Sequence, residues 1–184
     1  VWGVFSRDAG GFEAGVTTMA THLSITADRL VLAAGAFESI PPVPGWTLPG
    51  VMTTGAAQGL ARSYRVAAGE RVLVAGNGPL NLQLACELLA GGVNVVAVAE
   101  AASAPLSVRL WHGLGLLASD PSLAARGVAY LATLRRHGVP VLWGHHVARA
   151  SGTDAVEEVA LARLGSDGRL APDTERRFSV DALC

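Results

Sequence analysis

The sequence predicts an α/β fold in which helices flank a parallel sheet. Three observations predict this fold: two short, wholly apolar runs at residues 72–75 and 95–99, a leucine-rich stretch between them, and a glycine turn directly after the first run. Strands that are apolar throughout are typical of parallel sheets covered on both faces. A strand, a helix and a second strand in this order predict a βαβ unit.

The region before this unit predicts a different kind of sheet. Short apolar or alternating segments occur at residues 1–5, 16–20 and 23–26, and the turn sequence RDAGG separates the first two. This pattern predicts antiparallel strands in a hairpin or β-meander. The apolar run 30–34, which ends at Gly35, is a candidate buried strand.

Residues 40–50 contain four prolines and two glycines and predict a stiff extended connector. A helix over 53–64 follows, with Thr53 or Thr54 as its N-cap. After the βαβ unit the sequence predicts two helices, a short strand and three further strands, in order 105–118, 123–137, 139–142, 146–151, 156–163 and 176–183.

The helix of the βαβ unit has clear boundaries. Pro79 suits a first helical position, where its missing amide is not needed. Leu80, Leu84 and Leu88 recur every four residues, which places them on one face that we expect to pack on the sheet. The glycine pair at 91–92 ends the helix.

The turn before this helix carries the main functional signal. Gly76-Asn77-Gly78-Pro79-Leu80 keeps two of the three glycines of the GxGxxG fingerprint, and Asn81 stands in the third position. In such a turn the glycines let the backbone approach a nucleotide pyrophosphate, and the free amides at the helix start face the anion. The turn therefore predicts a Rossmann-like dinucleotide site. The alternative is an ordinary βα turn with two glycines.

Glu100 ends the second apolar run, 24 residues after Gly76. The spacing is close to the roughly 20 residues expected between the fingerprint and a ribose-binding acid. Glu100 in this role favours NAD over NADP, because a carboxylate repels a 2′-phosphate. The alternative is a charged residue that simply ends a strand. Arg109 lies too far along the next segment for us to assign it a 2′-phosphate.

Composition excludes several classes of function. The net charge of −1 argues against nucleic acid as a partner, and no apolar run is long enough to span a membrane. All 14 basic residues are arginine, so the chain has neither a P-loop lysine nor a Schiff-base lysine.

Cys86 and Cys184 are far apart and outside any CxxC motif, and the neighbouring pair His145 and His146 lacks further ligands. We therefore expect no metal site and a cytoplasmic location, and no catalytic residue is identified.

Several segments together resemble the two-dinucleotide flavoproteins, whose FAD and NAD domains are of the glutathione-reductase and thioredoxin-reductase type. They are LVLAAGA at 30–36, PGWTLPG at 44–50, VMTTGAAQ at 51–58, VAGNGPLNLQLA at 74–85 and VDALC at 180–184. Within that class the chain is similar to the FAD subunits of opine oxidases and hydrogen cyanide synthase and to the sarcosine oxidase α subunit. The resemblance covers essentially the whole chain.

The resemblance implies a division of the chain. Residues 1–49 correspond to part of an FAD domain with a β-meander and an "ATG"-like strand, 50–165 to an NAD(P)-binding-type domain, and 166–184 to the return toward the FAD domain. Backbone around Ala34 and Gly35 would then contact flavin. The FAD fingerprint itself has no counterpart in the chain, so we expect a central part of a larger flavoprotein that does not hold FAD by itself.

The resemblance implies an FAD-dependent oxidoreductase that oxidises an amino acid or an opine-type secondary amine. It also implies a second site for NAD(H), and partner subunits in a hetero-oligomeric oxidase. Two alternatives stay open. One is a scaffold module with an empty nucleotide site, and the other is a segment of an NAD(P)H-dependent flavin reductase.

Overall fold

The computed structural model describes residues 1–35, 37–103, 121–165 and 167–184. The described chain forms two compact units, Val1–Phe37 and Glu38–Cys184. The helix predicted over 105–118 and Arg109 lie outside the described residues. No helix in the described part of the chain combines the length and the apolar character needed to cross a bilayer.

The first unit is the predicted β-meander. Its strands β1 (Gly3–Ser6), β2 (Phe12–Thr17) and β3 (His22–Ala27) pair antiparallel in the order β1-β2-β3. The turn between β1 and β2 uses Gly10 at a φ of +86°, and the Gly10 amide donates to the Arg7 carbonyl. The backbone can reverse within these few residues because glycine tolerates a positive φ.

The strand predicted at 30–34 does not form. These residues belong to no strand, and Val31 and Leu32 are 87% and 79% exposed. An apolar run becomes a strand only where a neighbouring strand can pair with it. Among the described residues, β3 ends at Ala27 and no other strand is paired beside this run.

The parallel sheet is the centre of the second unit. It has the order β10-β4-β5-β6, and its neighbouring strands run parallel. The strands are β4 (Arg71–Gly76), β5 (Asn94–Glu100), β6 (Val141–Trp143) and β10 (Ala182–Leu183). The α/β fold class with a Rossmann-like parallel sheet is therefore confirmed.

Alternate side chains of β4 enter two separate cores, which explains why the strand is apolar throughout. Val72 and Val74 face a core that contains Leu84 and Leu88, whereas Leu73 faces a core on the other side of the sheet. The three β4 side chains are fully buried. A strand whose side chains alternate between two dry faces has no position left for a polar residue.

Helices cover the first face of the sheet. They are α1 (Thr54–Gly59), which continues as a π-helical turn over Leu60–Tyr64, α2 (Pro79–Ala90) and α3 (Pro121–Arg136). Thr53 caps α1, since its Oγ1 accepts the Ala56 amide. Leu84 and Leu88 of α2 are buried as expected, but Leu80 is 37% exposed. The first turn of α2 follows the end of β4, so Leu80 lies at the rim of the sheet.

An antiparallel sheet covers the second face. Its strands β7 (His145–Ser151), β8 (Glu158–Leu164) and β9 (Leu170–Ser179) have the order β7-β8-β9. Val159 and Leu161 of β8 share the second core with Leu73. Residues 167–184 thus contribute β9 to this sheet and β10 to the parallel sheet, and both strands lie in the Glu38–Cys184 unit.

The proline-rich connector packs against the rest of the second unit. The Pro44 carbonyl accepts the Ala150 amide at 2.8 Å, and the Pro49 carbonyl accepts the Val156 amide at 2.9 Å. A Cβ at Gly45 would collide with the Ala150 carbonyl, so only glycine allows this close approach. The connector is therefore an additional layer on β7 within the second unit.

Candidate functional site

The candidate site lies where the parallel strands end. Gly76, the last residue of β4, is paired with Glu100, the last residue of β5. β10 reaches the same edge, where the Cys184 carbonyl accepts the Ala75 amide. The carboxyl edge of a parallel sheet is where ligands bind in open α/β folds, because the loops and helix starts converge there.

The glycine turn leaves open space in front of the start of α2. Gly78 has a φ of +123°, which favours glycine, and a Cβ built on it would meet no heavy atom of the described residues within 4 Å. Pro79 follows as the first residue of α2 and has no amide to donate. The Leu80 amide, by contrast, has no partner in the described part of the chain. It is a donor available to an anion at the helix start.

Asn81 takes the place of the third fingerprint glycine and is only 5% exposed. Its Oδ1 accepts a hydrogen bond from Thr54 Oγ1 at 3.0 Å. Its Nδ2 has no partner at hydrogen-bonding distance among the described residues. A Cβ at Gly76 would lie 2.9 Å from this Nδ2, so any larger residue at position 76 would require the Asn81 carboxamide to shift.

Glu100 lies behind the turn and is 3% exposed. Its Oε1 accepts the Gly78 amide at 2.9 Å. Burial raises the pKa of the Glu100 carboxyl above its ordinary value, and the nearby Gly78 and Ala102 amides and Asn81 carboxamide oppose this increase of the pKa. The carboxylate therefore holds the backbone of the glycine turn at Gly78.

Replacing Glu100 with glutamine tests this environment through the pH dependence of stability. Because the pKa of Glu100 is higher in the folded chain than in the unfolded chain, its ionisation destabilises the fold increasingly as the pH rises through these two values. Glutamine does not titrate and its oxygen can still accept the Gly78 amide. We expect the unfolding temperature of Glu100→Gln, relative to the original chain, to rise between about pH 4 and about pH 8. Calorimetric scans at the two pH values check this, and a constant difference would contradict it.

A cleft of about 730 Å³ opens beside the glycine turn, within the second unit. This volume is in the range of ligand sites in proteins. Most of the wall is apolar, and its polar groups include residues that sequence reasoning did not assign to the site. The residues that line the cleft include Gly76, Asn77, Leu80, Asn81, Thr54, Glu38, His145 and Cys184.

Three of these residues reach the cleft only through tertiary structure. Glu38 Oε1 accepts the Gly55 amide at the start of α1 at 2.8 Å. Thr54 holds Asn81, whereas the predicted N-cap role falls to Thr53. His145 is buried, and its Nδ1 lies 2.9 Å from the Trp143 carbonyl. A short-range motif contains no signal for such contacts, apart from the polar residue in the third glycine position.

The remaining predicted site residues lie elsewhere. Glu100 does not line the cleft, since its carboxylate is turned toward Gly78. Ala34 and Gly35 belong to the first unit, where both are exposed and Gly35 has a φ of +75°. Whether they contact flavin stays a prediction.

The cleft offers binding groups rather than a nucleophile. Burial raises the pKa of the Cys184 thiol to about 12, so the reactive thiolate is scarce at neutral pH. Within the described ranges, no three His, Cys, Asp or Glu side chains are grouped so that they could hold a metal ion. The chemistry that this arrangement supports is binding of an anion by backbone amides at the start of α2, with the buried side chains of Asn81 and Glu100 behind the glycine turn.

Sequence comparison finds relatives among the components of oxidases and synthases. The chain is 38% identical over 159 residues to the hydrogen cyanide synthase subunit HcnB of Pseudomonas protegens, covering 86% of this chain and 33% of that protein. It is 35% identical over 177 residues to an opine oxidase subunit of Agrobacterium tumefaciens, covering 94% of this chain and 34% of that protein. The chain thus spans about a third of the length of these curated relatives.

Comparison of folds and family profiles leads to the same class. The crystal structure of T. acidophilum thioredoxin reductase matches with a TM-score of 0.60 at 16% identity, covering 98% of this chain and 50% of that chain, which shows a shared fold. The profile of the pyridine nucleotide-disulphide oxidoreductase family matches residues 5–183. This family implies FAD, with NAD(P) as the second dinucleotide. The chain belongs to the pyridine nucleotide-disulphide oxidoreductase family.

Proposed function

We propose that the unit Glu38–Cys184 binds NAD(H) at the glycine turn, as part of an FAD/NAD(P)-dependent oxidoreductase. The observation that carries the proposal is the open space at Gly78 next to the unpartnered Leu80 amide. A pyrophosphate needs both a close backbone approach and free amide donors. Gly76, Asn77, Gly78, Pro79 and Leu80 would together receive it.

Glu100 supports NAD rather than NADP in this proposal. Its carboxylate lies at the end of β5, next to the glycine turn, which is where the adenosine ribose lies in a Rossmann site. The Gly78 amide at 2.9 Å holds the carboxylate in place. The carboxylate can accept hydrogen bonds from ribose hydroxyls but repels a 2′-phosphate. Because the Glu100 side chain is buried, the ribose hydroxyls must approach its carboxylate along the rim of the glycine turn.

The proposal gives the two compact units different tasks. The backbone around Ala34 and Gly35, in the segment 1–49, would contact flavin, for which the exposed Gly35 leaves space. The NAD-type domain, placed by sequence at 50–165, would extend to Cys184. Supporting this extension, the Cys184 amide donates to the Leu73 carbonyl of β4 at 2.9 Å. When bound by the whole protein, FAD supplies the acceptor for a hydride.

For the substrate, we propose an amino acid or an opine-type secondary amine. The support is the similarity to the opine oxidase component from Agrobacterium tumefaciens, together with a cleft that contains no thiolate nucleophile in the described part of the chain. Both relatives are subunits, which supports partner subunits for this protein as well. The free thiols of Cys86 and Cys184 fit a reducing, cytoplasmic location.

Calorimetric titration with NAD, NADP and FAD tests the nucleotide site directly. We expect NAD to bind more tightly than NADP by about tenfold or more, because like charges at close range cost on the order of 1 kcal/mol even when solvated. Tighter binding of NADP would contradict the role of Glu100. If none of the three nucleotides binds, the site is an empty scaffold and the proposed nucleotide function is wrong.

A second experiment tests the substrate on the whole flavin-loaded protein with its partner subunits. In the absence of oxygen, an opine-type secondary amine is expected to bleach the absorbance of the oxidised flavin, because it transfers a hydride to the flavin. NADH is the comparison reductant. Bleaching by NADH but not by the amine would support the NAD(P)H-dependent flavin reductase instead.

A further inference from the structure

The groups that stabilise the ionised form of the buried Glu100 carboxylate are neutral hydrogen-bond donors. Its surroundings include the amides of Gly78 and Ala102 and the carboxamide of Asn81. The titratable and charged side chains on the described elements that pack against β5 are Arg71, Cys86, Glu87, His145, His146 and Arg149. Among the described residues, none of these side chains forms an ion pair with Glu100. A buried carboxylate without a cation needs hydrogen-bond donors to stay ionised.

Asn81 is oriented so that it can be such a donor. Thr54 Oγ1 donates to Asn81 Oδ1 at 3.0 Å, which leaves Nδ2 on the side of Gly76, the residue that is paired with Glu100 across β4 and β5. The opposite amide orientation would point Oδ1 at the carboxylate and is electrostatically unfavourable. Nδ2 is buried, with no partner at hydrogen-bonding distance among the described residues. A buried unpaired donor is costly, and the Glu100 carboxylate is the acceptor placed to satisfy it.

We propose that Asn81, held by Thr54, is a positioning residue that keeps Glu100 ionised and aimed at the ribose of the bound dinucleotide. This inference rests on the proposed NAD function, and it assigns a role to the residue that departs from the fingerprint. A glycine in the third position would leave Glu100 with backbone amides alone. Ionised Glu100 accepts from ribose hydroxyls, whereas its protonated form loses acceptor capacity.

The first test measures Glu100 without any nucleotide. Carbon-13 NMR of the labelled carboxyl follows its titration in the original chain and in Asn81→Gly. We expect the titration midpoint to move to higher pH in Asn81→Gly, because a donor to the ionised form is lost. Thr54→Val is expected to move it in the same direction, and Thr54→Ser, which keeps the hydroxyl, to restore the original midpoint. Gln83→Ala is the control: this amide of the same helix bonds Glu87 and should leave the midpoint unchanged.

The second test measures NAD affinity by calorimetry at about pH 5 and about pH 8. Loss of one hydrogen bond to a charged group is expected to weaken NAD binding by Asn81→Gly about tenfold or more near neutral pH. The weakening should grow toward low pH, since more Glu100 is then protonated in the variant. Loss of packing alone would lower affinity equally at both pH values.

The outcomes separate this inference from the proposed function. An unchanged Glu100 midpoint in Asn81→Gly overturns the inference, whether or not NAD binds. A raised midpoint together with pH-dependent loss of NAD affinity supports it. If the midpoint is raised in Asn81→Gly but the original chain binds no NAD at either pH, the Asn81–Glu100 coupling is supported and the proposed function is overturned.

Discussion

Gly78→Ala is expected to reduce NAD affinity by at least about tenfold, which corresponds to about 1.4 kcal/mol of binding free energy. The new Cβ would occupy the open space in front of the turn, where no heavy atom of the described residues lies within 4 Å. That space is where the pyrophosphate must approach the backbone. Calorimetric titration of the variant with NAD measures the loss.

Gly92→Ala is the matched control for this prediction. Gly92 follows the other end of α2, has a φ of +82°, and likewise leaves open space around a built Cβ. Both substitutions force alanine to adopt a positive φ and should cost on the order of 1–3 kcal/mol of folding stability. Only Gly78→Ala should weaken NAD binding. If both variants bind NAD as the original chain does, the glycine turn is not the pyrophosphate site.

Leu84→Ala is expected to destabilise the second unit by about 2–5 kcal/mol, the usual cost of removing a buried leucine side chain. Leu84 is fully buried in the core between α2 and the sheet, where Val72 and Val74 also pack. The loss combines a smaller buried apolar surface with the cavity that remains. Urea unfolding followed by circular dichroism measures the change in unfolding free energy.

Leu80→Ala is the control on the same helix face, one turn earlier. Leu80 is 37% exposed and lines the cleft, so its truncation should cost much less stability than Leu84→Ala. It should nevertheless lower NAD affinity, because apolar cleft wall is lost next to the proposed pyrophosphate position. Equal destabilisation by the two variants would show that Leu80 belongs to the core, as its spacing alone predicts.

The secondary structure of the second unit could be predicted because its signals are local. Residues 72–75 and 95–99 are apolar on both faces, and the structure buries them on both faces, between helices and a second sheet. The βαβ order and the glycine turn are likewise readable within about thirty residues. The run 30–34 shows the limit of this approach, since an apolar run does not specify a pairing partner and this run pairs with none in the described chain.

The site could be predicted only in outline. The fingerprint and the spacing to Glu100 predicted which residues meet at the sheet edge, and Gly76 and Glu100 are indeed paired there. Neither motif indicates that Glu100 is buried and hydrogen-bonded to Gly78. Burial depends on which loops cover a strand end, and the spacing of two residues in the chain contains no information on that.

The strand–turn–helix unit, its two glycines and the family resemblance could be recognised from residue order alone, because they depend on residue periodicity and on backbone conformations that few residue types allow. The orientation of the Asn81 amide by Thr54, 27 residues earlier in the chain, is visible only in the folded unit. The pairing of β10 with β4 in the parallel sheet is likewise a contact between segments that are distant in the chain. Contacts between distant segments depend on how the chain crosses the sheet. That crossing is set by the packing and hydrogen bonding of the whole unit together. A local sequence pattern therefore does not encode it.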